Sequence, residues 1–182
     1  MKKFKLLFLS AVIVLFTACG TVDNRTERFD MWEYMTSSTN YRVEYEVYHN
    51  GSKEDYHNIE NHIMYSDRYE QESNGGITTF TVNSSHIFML EPDQEVTVER
   101  YVYLGDSNIF RGKFIQTCSL EQFYKNYEVK GILFHNVLRV DCTSASGVKQ
   151  EFYYGYNEGL VAKYINDGYD ETVWVKFYES RI

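Results

Sequence analysis

The sequence has 182 residues, 18 of them basic and 26 acidic, for a formal charge of −8; 17% of the residues are aromatic, and there are three cysteines and one proline. The acidic balance argues against a nucleic-acid partner, which needs a basic footprint, and against docking on anionic headgroups by charge. A chain of this length suits one domain and can bury a sizeable core.

Residues 1–18 read as targeting rather than fold. Lys2, Lys3 and Lys5 precede the apolar run "LLFLSAVIVLF" at 6–16. That run fits a signal h-region of roughly 7–15 residues and falls short of the ~20 needed to span a bilayer. Thr17, Ala18 and Cys19 resemble the lipobox of the bacterial lipoprotein signal, with Phe16 where the pattern prefers Leu. The resemblance implies that residues 1–18 are removed and that Cys19 becomes the lipid-modified first residue, holding the protein to a membrane. Gly20 stands where Asp would retain a lipoprotein on the inner membrane, so the resemblance implies a cell-envelope location, outer membrane facing the periplasm. The alternative is ordinary secretory cleavage with a free or buried thiol. Losing three lysines and no acid takes the formal charge from −8 to −11.

Residues 19–30 are expected to form the lipidated end and a short polar tether, and 31–182 a single β-rich domain. Asp30 and Glu33 have capping-box spacing, and Met31, Tyr34 and Met35 follow at helical spacing. This predicts a short helix over about 31–36. Its Met/Trp cluster is expected to pack on its own domain as a cap, the alternative being contact with the bilayer.

From Tyr41 the period is two. "YRVEYEVY" puts Tyr41, Val43, Tyr45 and Val47 on one face and Arg42, Glu44 and Glu46 on the other, a half-buried antiparallel strand. "NIENHIMYSDRYEQE" alternates Ile59, Asn61, Ile63 and Tyr65. "ITTFTV", "HIFMLE", "EVTVERYVY" and, more weakly, "IFRGKFIQT" follow as strands. Within residues 119–127, Leu120, Phe123, Tyr124 and Tyr127 fall at i, i+3, i+4 and i+7 behind a Ser119/Gln122 capping box. This predicts a two-turn helix. "ILFHNVLRVDC", "VKQEFYYGY", "GLVAKYI" and "TVWVKFY" then form a meander, joined by turn chemistry.

With Cys19 lipidated, Cys118 and Cys142 remain as an even pair in an oxidising compartment. They are expected to form a disulfide that staples the start of the helix; two separately buried thiols are the alternative.

The fold class is mainly β with minor α: a strongly curved antiparallel sheet or open barrel of about ten strands with two short helices, since a sheet this large must curl or close. This plan, with a lipobox, is similar to the lipoprotein-carrier family, whose open barrels hold acyl chains. "YYGYNEGLVAKY" also looks like a hairpin of many small envelope lipoproteins. Neither likeness supplies a binding residue.

No catalytic residue, metal set or cofactor motif emerges. His49, His57, His62, His86 and His135 are scattered without ligand spacing, "GDSN" lacks a nucleophile elbow, and no glycine-rich phosphate cradle is present. Tyr153, Tyr154 and Tyr156 put rings on both faces of one strand, and Tyr101 and Tyr103 lie opposite Val96, Val98 and Val102. The expectation is a non-enzymatic, membrane-anchored lipoprotein acting as a structural or protein-interaction module, with an envelope protein as partner. The alternative is a carrier of an apolar ligand such as an acyl chain. The aromatic bulk, with Phe123 at one mouth, favours a filled interior and weak acyl-chain binding.

Overall fold

The computed structural model describes residues 27–182, so the signal segment and Cys19 lie outside the described residues. β1 (Arg28–Asp30) runs straight into α1 (Met31–Met35). β2 (Tyr41–His49), β3 (Ser52–Met64), β4 (Tyr69–Ser73), β5 (Gly76–Val82), β6 (His86–Leu90), β7 (Glu95–Glu99) and β8 (Tyr101–Tyr103) follow. Then come β9 (Phe110–Gly112), β10 (Ile115–Val129), β11 (Ile132–Ser144), β12 (Lys149–Gly155), β13 (Gly159–Asn166) and β14 (Glu171–Arg181).

Twelve strands make one antiparallel sheet in the order β10-β11-β12-β13-β14-β2-β3-β4-β5-β6-β7-β9. Most steps are hairpins, as short turns require. The sheet curls until its two ends almost meet, and residues 105–109 bridge the gap. Gly105 N donates to Leu120 O (2.8 Å), Leu120 N to Asp106 O (2.9 Å) and Ile109 N to Cys118 O (3.1 Å), while Glu99 N donates to Ile109 O (2.8 Å). The two edges are therefore joined there rather than left open.

One end of this barrel is capped and the other is ringed by turns. Asp30 caps α1 by accepting from Trp32 N (3.0 Å), and Met31, Tyr34 and Met35 are buried. The short helix thus packs on its own domain. β1 pairs with β8, so residues 28–30, assigned by sequence to the tether, are already folded. "EVTVERYVY" breaks at Arg100 for the same reason. The guanidinium grips Asp30 through Nε and Nη2 (2.9–3.1 Å), and the chain leaves the main sheet to pair with β1.

The helix expected over 119–127 is absent: these residues belong to β10. Two breaks in strand phase imitate the helical pattern. A register shift between Leu120 and Gln122 puts Leu120 and Phe123, three apart, against the barrel interior. Asn136, opposite this strand, has φ 51, and beyond that kink Tyr124 and Tyr127, again three apart, share a second core with Val129, Phe134 and Val173. That core lies on the outer face of the sheet, where the β10–β11 hairpin folds over; Lys130 at its tip sits 4.4 Å from the Tyr48 ring.

Cys118 and Cys142 are bonded, and they are direct cross-strand partners of β10 and β11 with Cα atoms 4.1 Å apart. The bridge staples two strands, not a helix. Its reduction is expected to lower stability by about 3 kcal/mol, the loop-closure value for this separation. Urea melts with and without reductant check this; superimposable curves would contradict it.

Candidate functional site

Alternation along each strand sends one set of side chains into the barrel. On β2 these are Tyr41, Val43, Tyr45 and Val47, all at most 1% exposed, as the sequence pattern implies. On β3 the inward set is Glu60 and His62, at 4% and 2% exposure, while Ile59 and Ile63 are only half-buried on the other face.

These buried polar groups form a network deep in the barrel. Glu60 accepts from Gln71 Nε2 (2.7 Å) and Asn58 Nδ2 (3.1 Å), and His62 Nε2 lies 3.2 Å from its carboxylate. His62 Nδ1 meets the Tyr69 hydroxyl, and its ring stacks on Tyr41 at 4.4 Å and 19°. Tyr41 Oη donates to Glu158 O and Tyr45 Oη to Leu160 O, each at 3.1 Å. Burial pushes the Tyr41 and Tyr45 phenols well above their ordinary range, with nearby Tyr69 and Glu60 adding to the shift.

Above this floor the barrel is not filled. A cavity of about 290 Å³ opens at the turn-ringed mouth, between Glu91, Gln94, Phe114, Ser144 and Gln150. A second, of about 160 Å³, continues inward to Met35 of α1, past Trp174, Gln71 and Glu60. Met89, Glu91, Phe152, Tyr154 and Lys163 line both, so the two form one lumen. Its size lies at the lower end of small-molecule sites, and its mixture of aromatic walls with a few polar groups is typical of them.

Lys163 stands at the junction. Its Nζ lies 4.9 Å from the Phe152 ring and 5.5 Å from the Trp174 ring, within the range of cation–π attraction. Burial pulls its amine below the usual lysine range, with Glu60 and Glu91 acting against that. Among the described residues no carboxylate comes within 4.0 Å of it. The contrast is Lys176, which is buried where Lys163 is half-buried and is paired with both Glu158 (3.5 Å) and Glu179 (2.5 Å).

No family model and no curated protein matches this chain. Among solved structures, one described as "Structure of PNGF-II in C2 space group" aligns with 80% of the chain at 11% identity and a TM-score of 0.39. The chain spans 28% of the length of that protein.

Of the residues singled out by sequence, Cys142 lines the mouth of the lumen and Cys118 lies buried beside it. Tyr101 is held between Arg28 and Arg100, at 4.4 and 5.0 Å, and Tyr103 is exposed; both lie in β8, beside the capped end. The histidines stay apart: His57 lies near Glu44, His86 near Glu99, and His135 bonds Asn126 at the surface. Among the described residues no three metal-ligand side chains converge. Lys163, Glu91 and Trp174 were not visible as a site from sequence. A register shift around Tyr153–Tyr154 and Leu160–Ala162 changes the phase of "GLVAKYI", so that Leu160 and Lys163 face the lumen while Val161 and Ala162 face the outer core.

Proposed function

We propose that the protein is a membrane-tethered binding protein of the cell envelope whose barrel lumen holds a small ligand of mixed polarity. The observation that carries this reading is Lys163, a half-buried amine inside a partly open cavity, without an ionic partner among the described residues, while the buried Lys176 has two. A charge drawn out of water is ordinarily paired, and a ligand that closes the cavity over this amine would supply the partner. The expectation of an interior filled by aromatic bulk fails at this lumen because much of that bulk lies elsewhere. Tyr48, Tyr124, Tyr127, Tyr153 and Tyr164 belong to the outer core.

The test is native mass analysis of protein extracted from its own membrane. Wild type is expected to carry a small noncovalent adduct, and the lumen-filling variants Thr78→Trp and Gln150→Trp are expected to lose it while remaining folded. An adduct that survives both fillings lies outside the lumen and overturns the reading.

The tether rests on the lipobox resemblance at Cys19. Cys19→Ser is expected to release the protein from membranes or to stall it as the uncleaved precursor. Mature, membrane-bound Cys19→Ser protein contradicts the anchor.

A further inference from the structure

The lumen carries three formal charges among the residues that line it: Lys163, Glu60 and Glu91. They are not equivalent. Glu60 is committed to Asn58, Gln71 and His62. Glu91, at the mouth, accepts one side-chain hydrogen bond, from Gln94 Nε2 at 2.6 Å, and so keeps acceptor capacity facing the cavity. Lys163 has donors to spare, and Phe152, Tyr154 and Met89 line the lumen together with both groups.

This pattern discriminates between ligand classes. An acyl chain needs a continuous apolar tube, but here polar groups occur at every depth: Thr143 and Gln150 near the mouth, Lys163 in the middle, Gln71 and Thr78 below. A chain lying past them would strip water from each and return no hydrogen bond, a cost of about 1–3 kcal/mol for each group left unpaired. A simple organic anion would satisfy Lys163 but share the cavity with two carboxylates. A simple amine would satisfy Glu91 but face Lys163. A molecule with one charge of each sign and an apolar body meets all three surfaces.

We infer that the lumen, on the binding role proposed above, takes a small zwitterion, an amino acid or dipeptide with an apolar side chain. Its carboxylate pairs with Lys163, its ammonium group with Glu91, and its side chain lies against Phe152, Tyr154 and Met89.

The test uses the folded protein labelled with ¹³C at its methionine methyls. Met89 reports on the middle of the lumen and Met35 on its floor. Phenylalanine and glycyl-phenylalanine are titrated beside 3-phenylpropionate, which lacks the ammonium group, phenethylamine, which lacks the carboxylate, and decanoate. The zwitterions are expected to shift the Met89 methyl saturably, with affinities at least about tenfold above those of the single-charge analogues. Lys163→Gln is expected to weaken phenylalanine binding by about tenfold and to strengthen phenethylamine binding, whose ammonium group no longer faces a cation. Its unliganded spectrum shows directly whether the variant is folded. Equal binding of 3-phenylpropionate or phenethylamine overturns the zwitterion assignment and leaves lumen binding standing. Saturable binding of decanoate alone turns the site into an acyl carrier. No shift of Met89 or Met35 with any probe overturns both readings.

Discussion

Raising the pH above 10 is expected to unfold this domain within about two pH units. Tyr41, Tyr45, Tyr69 and Tyr154 are all buried, and burial is the main cause that raises each phenol above its ordinary value of 10.0. In the unfolded chain each would ionise near pH 10, whereas in the fold each stays protonated well beyond it. A raised folded-state pKa gives stability that is complete below the unfolded value and drains away as the pH climbs towards the folded one. Each such tyrosine loses about 1.4 kcal/mol per pH unit in that window, and four together lose roughly 5–6. Against a total of about 5–15 kcal/mol for a domain, one unit consumes much of the reserve. Tyrosinate absorbance and far-ultraviolet circular dichroism should therefore change together in a single steep step. Tyrosinate appearing in full near pH 10 with the β signal intact would contradict the burial argument.

The second large effect is expected at Glu60. Removing its carboxylate in Glu60→Ala leaves Asn58, Gln71 and His62 facing a void without their shared acceptor. Unpaired buried groups cost about 1–3 kcal/mol each. Water entering from the adjoining lumen can satisfy part of the loss, so about 3 kcal/mol net is expected. Glu60→Gln keeps one acceptor oxygen and should cost about 1 kcal/mol. Urea midpoints for the two variants check the order. A Glu60→Ala protein as stable as wild type would mean that the network contributes nothing to the fold.

Much of the architecture was legible in the alternation of apolar and polar residues. "YRVEYEVY" gives the buried face of β2 directly, because that strand keeps its phase over the stretch. The curvature was legible too, since this many strands cannot lie flat. What misled was phase. Two breaks in the β10–β11 hairpin convert a period of two into an apparent helix at 119–127, and no local rule separates that pattern from a real one.

The lumen was illegible for a related reason. On β3 the side chains that enter the barrel are a glutamate and a histidine, while the isoleucines beside them look outward, so hydrophobicity alone points to the wrong face. Lys163 looks like a solvent-facing lysine until the register shift between β12 and β13 is known. The aromatic count gives the amount of bulk and not its place. Its division between the barrel interior and an outer core depends on a hairpin folding over the sheet, which composition does not encode.

The central claim is that the lumen is a ligand site organised by Lys163. A crystal structure of protein purified from its native cells tests it most directly. The expected result is continuous density for a small molecule between Lys163, Phe152 and Trp174, with an anionic group at hydrogen-bonding distance, about 2.7–3.2 Å, from Lys163 Nζ. A lumen closed by its own side chains, or Lys163 paired with Glu60 or Glu91 and no molecule beside it, would contradict the claim.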